Sequence, residues 1–107
     1  MVKISILYPN EPDGRFDMDY YVDTHMPMSI ELVSAYPGFK GASVERGLGG
    51  EAPDSAPPYV AMCYFLFDSF KDFTAAFTPH AETLQENMAR YTDIEAVIQV
   101  SEVALSR

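Results

Sequence analysis

Apolar and polar residues alternate at the start of the chain. Val2, Ile4, Ile6 and Tyr8 fall on one side of an extended segment and Lys3 and Ser5 on the other, which predicts a strand with one apolar face. The turn formers of Pro9-Asn-Glu-Pro-Asp-Gly14 end it. The period then changes. Met18, Tyr21, Val22 and His25 recur at helical spacing on one face, and the stripe continues through Met28, Leu32 and Tyr36 until Pro37-Gly38 stops it. Asp17 is placed to cap this helix, and Phe16 and Tyr21 have the spacing of a hydrophobic staple. Pro27 has no N–H and pushes Met26 away from helical ψ, so the turn at His25 is expected to be distorted.

Phe39 to Arg46 reads as a second, more polar strand, ended by Gly47-Leu-Gly-Gly50. Glu51 to Pro58 holds three prolines and no periodicity. With the preceding glycines it forms a segment, 47–58, expected to be a mobile loop. Tyr59-Val-Ala-Met-Cys-Tyr-Phe-Leu-Phe67 differs from the first strand in being apolar on both faces. Ser69, with Asp72 three residues later, begins a second helix as a capping box does. Its stripe is Phe70, Phe73, Phe77, His80, Leu84, Met88 and Tyr91, with Thr78-Pro79 read as a break and restart capped by Thr78. Ile94 to Leu105 is the final strand.

The order is βαββαβ. Two right-handed crossovers place both helices on one face of a four-stranded antiparallel sheet, an α+β, ferredoxin-like subunit in which residues 1–107 form one domain. The other face is left bare, yet the strand at 59–67 is apolar there too. With no spare element in the chain, the expected cover is the same sheet of a second copy, a homodimer through the sheet faces.

A net charge of −9 with only seven Lys and Arg argues against nucleic acid and against an anionic membrane surface as partners. No apolar run is long enough to span a bilayer, and the N-terminus lacks the basic-then-apolar pattern of a signal peptide. A cytoplasmic location is expected. The lone cysteine, Cys63, has no internal disulfide partner. There is no zinc-binding spacing, phosphate loop or nucleophile–base motif; no metal or cofactor is expected, and the missing motifs exclude none of the functions below.

Candidate chemistry rests on few residues. His25 is either a buried histidine that helps end its helical turn or a general acid–base whose protonation is tuned by an apolar pocket. His80 falls on the other inward stripe, although Pro79 is able to rotate it outward. Tyr21 lies one turn before His25, within contact distance, and otherwise serves the staple. Tyr8 and Tyr64 are candidates to line a helix–sheet pocket, with core packing as the alternative. Asp17, Asp19 and Asp23 read as cap, dipole complement and solvated face. Met26, Met28, Met62 and Met88 suit an adaptable cavity or ordinary gap filling, and Cys63, within an apolar strand, reads as inert.

Val-Lys-Ile-Ser-Ile-Leu-Tyr-Pro at 2–9, Phe-Asp-Met-Asp-Tyr-Tyr-Val-Asp-Thr-His-Met-Pro at 16–27 and Tyr-Thr-Asp-Ile-Glu-Ala-Val-Ile-Gln-Val-Ser-Glu-Val at 91–103 resemble the EthD family. The Tyr-x-x-x-His-x-Pro core is the most specific part. The resemblance implies the dimeric α+β barrel superfamily, whose members include polyketide cyclases, cofactor-free monooxygenases, lactone isomerases and haem-handling enzymes. Gln85-Glu-Asn-Met-Ala-Arg90 is more polar than the matching segment of relatives, so no pocket residue is carried over from the second helix. Three functions are expected as alternatives. The first is a cofactor-free isomerase, cyclase, dehydratase or monooxygenase in which His25 moves a proton on an apolar, aromatic or carbonyl-bearing metabolite. The second is a non-catalytic carrier or accessory protein of a degradation pathway. The third is a haem enzyme with His25 or His80 as axial ligand.

Overall fold

A computed structural model describes all 107 residues. The strands are β1 (Val2–Pro9), β2 (Phe39–Arg46), β3 (Tyr59–Phe67) and β4 (Val97–Glu102). They form one antiparallel sheet in the order β2-β3-β1-β4. The first helix runs as α1 (Met18–Tyr20), a π-helical turn (Tyr21–His25) and α2 (Met26–Ser34). The second runs as α3 (Phe70–Phe77), a 3-10 turn (Thr78–His80) and α4 (Ala81–Met88). The predicted βαββαβ ferredoxin-like fold is thus the observed one. β4 is shorter than the expected 94–105, because Ile94 is already committed to the core before the strand pairs with β1 at Val97.

Register decides which residues meet the helices. Val2, Ile4, Ile6 and Tyr8 of β1 pair with Phe67, Phe65, Cys63 and Ala61 of β3, and side chains of paired residues point the same way. Ile4, Tyr8, Ala61, Cys63, Phe65 and Phe67 are all buried under the helices. The alternate β3 residues Met62, Tyr64 and Leu66 lie on the opposite, helix-free face and are half-buried in the single chain. Lys3 reaches across that face to place its ammonium 4.0 Å from the Tyr64 ring centre.

Both helix starts follow the sequence. The Asp17 carboxylate accepts from the Tyr20 N–H, and the Ser69 hydroxyl accepts from the Asp72 N–H at 3.1 Å. The staple forms as well, with Phe16 and Tyr21 ring centres 5.0 Å apart. The first helix ends at Ser34, and the turn into β2 passes through Gly38, whose φ of +88° favours glycine and where a Cβ would run into the Asp72 carboxylate.

The interiors of both helices depart from the expected stripes. The Met26 N–H donates to the Tyr21 carbonyl, five residues back, which is the π pattern. This wider turn holds an extra residue, so the downstream inward face advances by one position. Met26, Ser29 and Val33 are buried, where Met28, Leu32 and Tyr36 were expected. Val22, expected on the inward face, is 44% exposed. In the second helix Thr78 makes no side-chain cap, and the chain tightens into the 3-10 turn without a break. Phe70, the first residue of that stripe, is half-exposed.

The loop 47–58 is tied at its end, where the Asn10 backbone and side-chain N–H groups donate to the carbonyls of Pro58 and Pro57. A further hydrogen-bonded turn links Gly50, Ala52 and Ser55. Leu48 stands 90% exposed, so the loop has no apolar anchor there.

Candidate functional site

Between the first helix, the end of the second helix and β1–β3 lies a cavity of about 130 Å³. Its wall includes Ile6, Tyr8, Tyr21, His25, Met26, Ser29, Cys63, Phe65, Leu84, Met88 and Tyr91. The wall is assembled by a clasp between the two chain segments that enter and leave the helices. The Asp17 N–H donates to the Tyr91 carbonyl at 2.7 Å, and the Thr92 hydroxyl donates to the Arg15 carbonyl at 2.7 Å. This clasp sets the Tyr91 ring 5.0 Å from that of Tyr21 and 4.6 Å from that of His25.

His25 is 6% exposed. Its Nδ1 meets the Asn87 side-chain oxygen at 2.7 Å, and the Asn87 amide N–H in turn donates to the Tyr20 hydroxyl. An amide oxygen only accepts, so Nδ1 carries the proton and Nε2 the lone pair. Nε2 makes no hydrogen bond to the protein. Burial lowers the pKa of His25 below its usual value, opposed in part by the bond to Asn87, so the ring is neutral at physiological pH. Ser29, buried one turn later, donates to the His25 carbonyl at 2.9 Å, a back-bond that helps hold the helix in its local bend.

Three phenols surround the imidazole. Tyr8 and Tyr91 share a buried hydroxyl–hydroxyl bond of 2.6 Å. The fully buried Tyr21 hydroxyl has no oxygen or nitrogen partner and has only the Cys63 thiol, a weak acceptor, beside it. Burial pushes the Tyr8 phenol up to about 12 and those of Tyr21 and Tyr91 further in the same direction. It also pushes the Cys63 thiol up to about 11, so the thiol stays protonated, in keeping with an inert core cysteine.

Of the residues singled out from the sequence, His25, Tyr21 and Tyr8 therefore meet in one cavity. Two others do not, and their expected pocket positions are corrected. His80 is turned to the segment that follows α2, where its Nε2 meets the Tyr36 hydroxyl at 3.1 Å, because the 3-10 turn rotates it off the inward stripe. Tyr64 has the wrong parity on β3: it alternates with Cys63 and Phe65 and lies on the helix-free face. Asn87 and Tyr91 were missed. Tyr91 was signalled by its place on the inward stripe, whereas no local pattern marked Asn87.

A porphyrin is larger than this cavity of about 130 Å³, and His80 lies outside it. No group of three His, Cys, Asp or Glu side chains comes together.

Comparison with known proteins agrees with the fold. No curated protein matches the chain. Among solved structures, an EthD-like protein from Ralstonia eutropha JMP134 is similar over 99% of this chain and 94% of its own, with 40% identity and a TM-score of 0.91. An ethyl tert-butyl ether degradation (EthD) family protein from Bacillus halodurans C-125 is 20% identical over 95% of this chain and 97% of its own, with a TM-score of 0.70. A dimeric protein of unknown function and ferredoxin-like fold from Bacteroides fragilis NCTC 9343 is 17% identical over 94% of each chain, with a TM-score of 0.59. The EthD domain model matches residues 13–95, a span that includes the His25 turn, Asn87 and Tyr91. The chain belongs to the EthD domain family.

Proposed function

We propose that this protein binds a small apolar, aromatic or carbonyl-bearing molecule in the helix–sheet cavity, and that His25 moves a proton to or from it. One observation carries this reading: a neutral, buried imidazole whose Nδ1 is fixed by Asn87 and whose Nε2 has no protein partner, on the wall of an apolar cavity. A purely structural histidine in a core has both nitrogens satisfied. Here one nitrogen is held and the other left free, the arrangement a general base needs. Tyr21 and Tyr8 contribute wall and contact, and His80 and Tyr64 have no direct part.

The test uses cyclohexanone, an enolisable ring of suitable size, in D2O. Wild-type protein should accelerate exchange of its α-protons as followed by NMR, and His25→Gln should remove the acceleration. Titration should also shift the methyl signals of Met26 and Met88. Failure of cyclohexanone to perturb either methyl would refute the cavity reading. Binding without exchange would favour a carrier instead. That second reading draws on a separate observation: the remaining titratable wall groups, the phenols and the thiol, are all held in their neutral forms.

We also propose a homodimer through the helix-free face of the sheet. Met62, Tyr64 and Leu66 form a half-buried apolar band there that no element of the chain covers, and a protein of similar fold is dimeric. Light scattering at micromolar concentration should give twice the 11.9 kDa chain mass, and a monomer would count against it.

A further inference from the structure

The cavity holds hydroxyl protons that no oxygen or nitrogen of the protein accepts. Tyr8, Tyr21 and Tyr91 all line it. The one bond between Tyr8 and Tyr91 uses one proton and leaves the other hydroxyl of that pair with an O–H to give. The Tyr21 hydroxyl, on a side chain with no solvent exposure, has no oxygen or nitrogen partner and only the weakly accepting Cys63 thiol beside it. Two of the three phenolic protons therefore have no hydrogen-bonded oxygen or nitrogen acceptor in the protein. Buried hydroxyls are seldom left so, because each loses its water without a replacement.

The rest of the wall limits what that acceptor is. It contains no Lys, Arg, Asp or Glu. A carboxylate, phosphate or ammonium would be buried there without a counter-charge, which is strongly unfavourable. Burial keeps the phenols protonated, so they face the cavity as donors. The occupant is thus neutral, mostly apolar, and carries an oxygen acceptor. At about 130 Å³ the cavity is close in size to an engineered apolar cavity of about 150 Å³ that takes up benzene, so a single six-membered ring fits.

We propose that Tyr21 is the residue that selects the ligand, its hydroxyl donating to the carbonyl oxygen of a neutral cyclic ketone or quinone. This rests on the cavity reading given above and names the class of molecule that the site takes. The Tyr21 and His25 rings lie one turn apart on the π-helical turn, nearly parallel at 14° with centres 6.0 Å apart. They present a donor and a base along one wall. For an enolisable ketone the chemistry balances without a cofactor. The Nε2 lone pair of His25 takes the α-proton, and the C–H electron pair becomes the new C=C bond. The carbonyl π pair moves onto oxygen, where the Tyr21 O–H bond strengthens as negative charge develops. Return of the proton from the imidazolium to carbon restores neutral His25.

The experiment compares two shape-matched probes, cyclohexanone and methylenecyclohexane, which differ in C=O against C=CH2. Each is titrated by NMR into wild-type protein and into Tyr21→Phe. The substitution removes a hydroxyl whose one neighbouring acceptor is the weak Cys63 thiol, so the variant should fold and melt close to wild type. Wild type should prefer cyclohexanone. Tyr21→Phe should weaken cyclohexanone roughly 10-fold, leave methylenecyclohexane within about 2-fold, and slow α-proton exchange. If both probes bind and Tyr21→Phe treats them alike, the cavity reading stands and this inference falls. If neither probe binds wild type, both fall together. A Tyr21→Phe variant that melts well below wild type would also overturn the inference, since its hydroxyl would then already have a partner.

Discussion

The two helices carry the same combination, a histidine beside a proline, and resolve it in opposite ways. In the first, Pro27 lies two residues after His25 and removes an N–H from the ladder just where the turn closes. The helix widens, and the Met26 N–H reaches five residues back to Tyr21. In the second, Pro79 lies directly before His80, and the helix tightens until the Ala81 N–H donates three residues back to Thr78. The wide turn keeps Tyr21 and His25 together on the inward face, against the sheet and Tyr91. The tight turn swings His80 toward α2 and the Tyr36 hydroxyl. Equivalent residues in the two βαβ halves thus acquire different prospects. One is buried with a free nitrogen in a cavity, and the other is half-exposed with that nitrogen bonded. Position relative to proline sets which N–H is lost, and packing against the rest of the molecule sets how each turn closes.

The sharpest way to break this comparison is to exchange the losses. His25→Gln should lower the rate of α-proton exchange by at least about 100-fold, the usual contribution of a general base. His80→Gln should leave the rate within about 2-fold. Equal losses in NMR exchange assays would mean that the two sites are not functionally distinct. The prolines come next. Pro27→Ala restores the missing N–H and lets the helix return to its regular ladder, which rotates His25 relative to Tyr91. A fall of roughly 10- to 100-fold in exchange is expected from that misplacement. Pro79→Ala should leave exchange unchanged and alter stability by about 1 kcal/mol or less in denaturant titrations.

Much of this was legible in the chain. Period-2 and helical patterns, caps and turn residues identified every strand and both helices, because local rules and fold agree there. The Asp17 and Ser69 caps and the Phe16–Tyr21 staple are contacts within a few residues, so spacing sufficed. The distortion at His25 was also expected, since Pro27 has a local effect. Its direction was not. Whether a proline widens or tightens a turn depends on packing against distant elements, and the resulting one-residue advance moved the buried stripe to Met26, Ser29 and Val33. Tyr64 was misplaced because β3 is apolar on both faces, which hides parity. The partner of β1 fixes it: Cys63 pairs with inward-facing Ile6, so Tyr64 must face away. Asn87 met His25 only through a contact 62 residues apart in sequence, beyond any local pattern.

That contact yields a smaller effect which sharpens the comparison from the His25 side. Asn87 Oδ1 accepts the Nδ1 proton and supports the charged ring against desolvation. Asn87→Leu removes this support while the burial remains. The His25 pKa should fall further, read directly from the pH dependence of its ring carbon-bound proton signals. Stability should fall by about 1 kcal/mol for the lost hydrogen bond, with the Tyr20 hydroxyl also losing its donor. The exchange rate should drop, because the tautomer with a free Nε2 lone pair is no longer enforced. An unchanged His25 titration would mean that Asn87 does not orient the ring.

The smallest effect is the pH dependence of stability that His25 contributes. In the unfolded chain the imidazole titrates near its usual value of 6.5, and burial lowers that in the folded state. Between those two values the unfolded chain binds a proton that the native protein does not, so stability there rises with pH. The contribution is complete above pH 6.5, declines as pH falls from 6.5 toward the folded pKa, and levels off once both states are protonated. Wild type and His25→Gln should therefore differ in the slope of their unfolding free energy as pH falls below about 6.5, with the wild type losing more. Measuring both in a His80→Gln background removes the other histidine from the difference. Parallel slopes would mean that burial places no penalty on the charged ring, and His25 would then differ from His80 only in its neighbours.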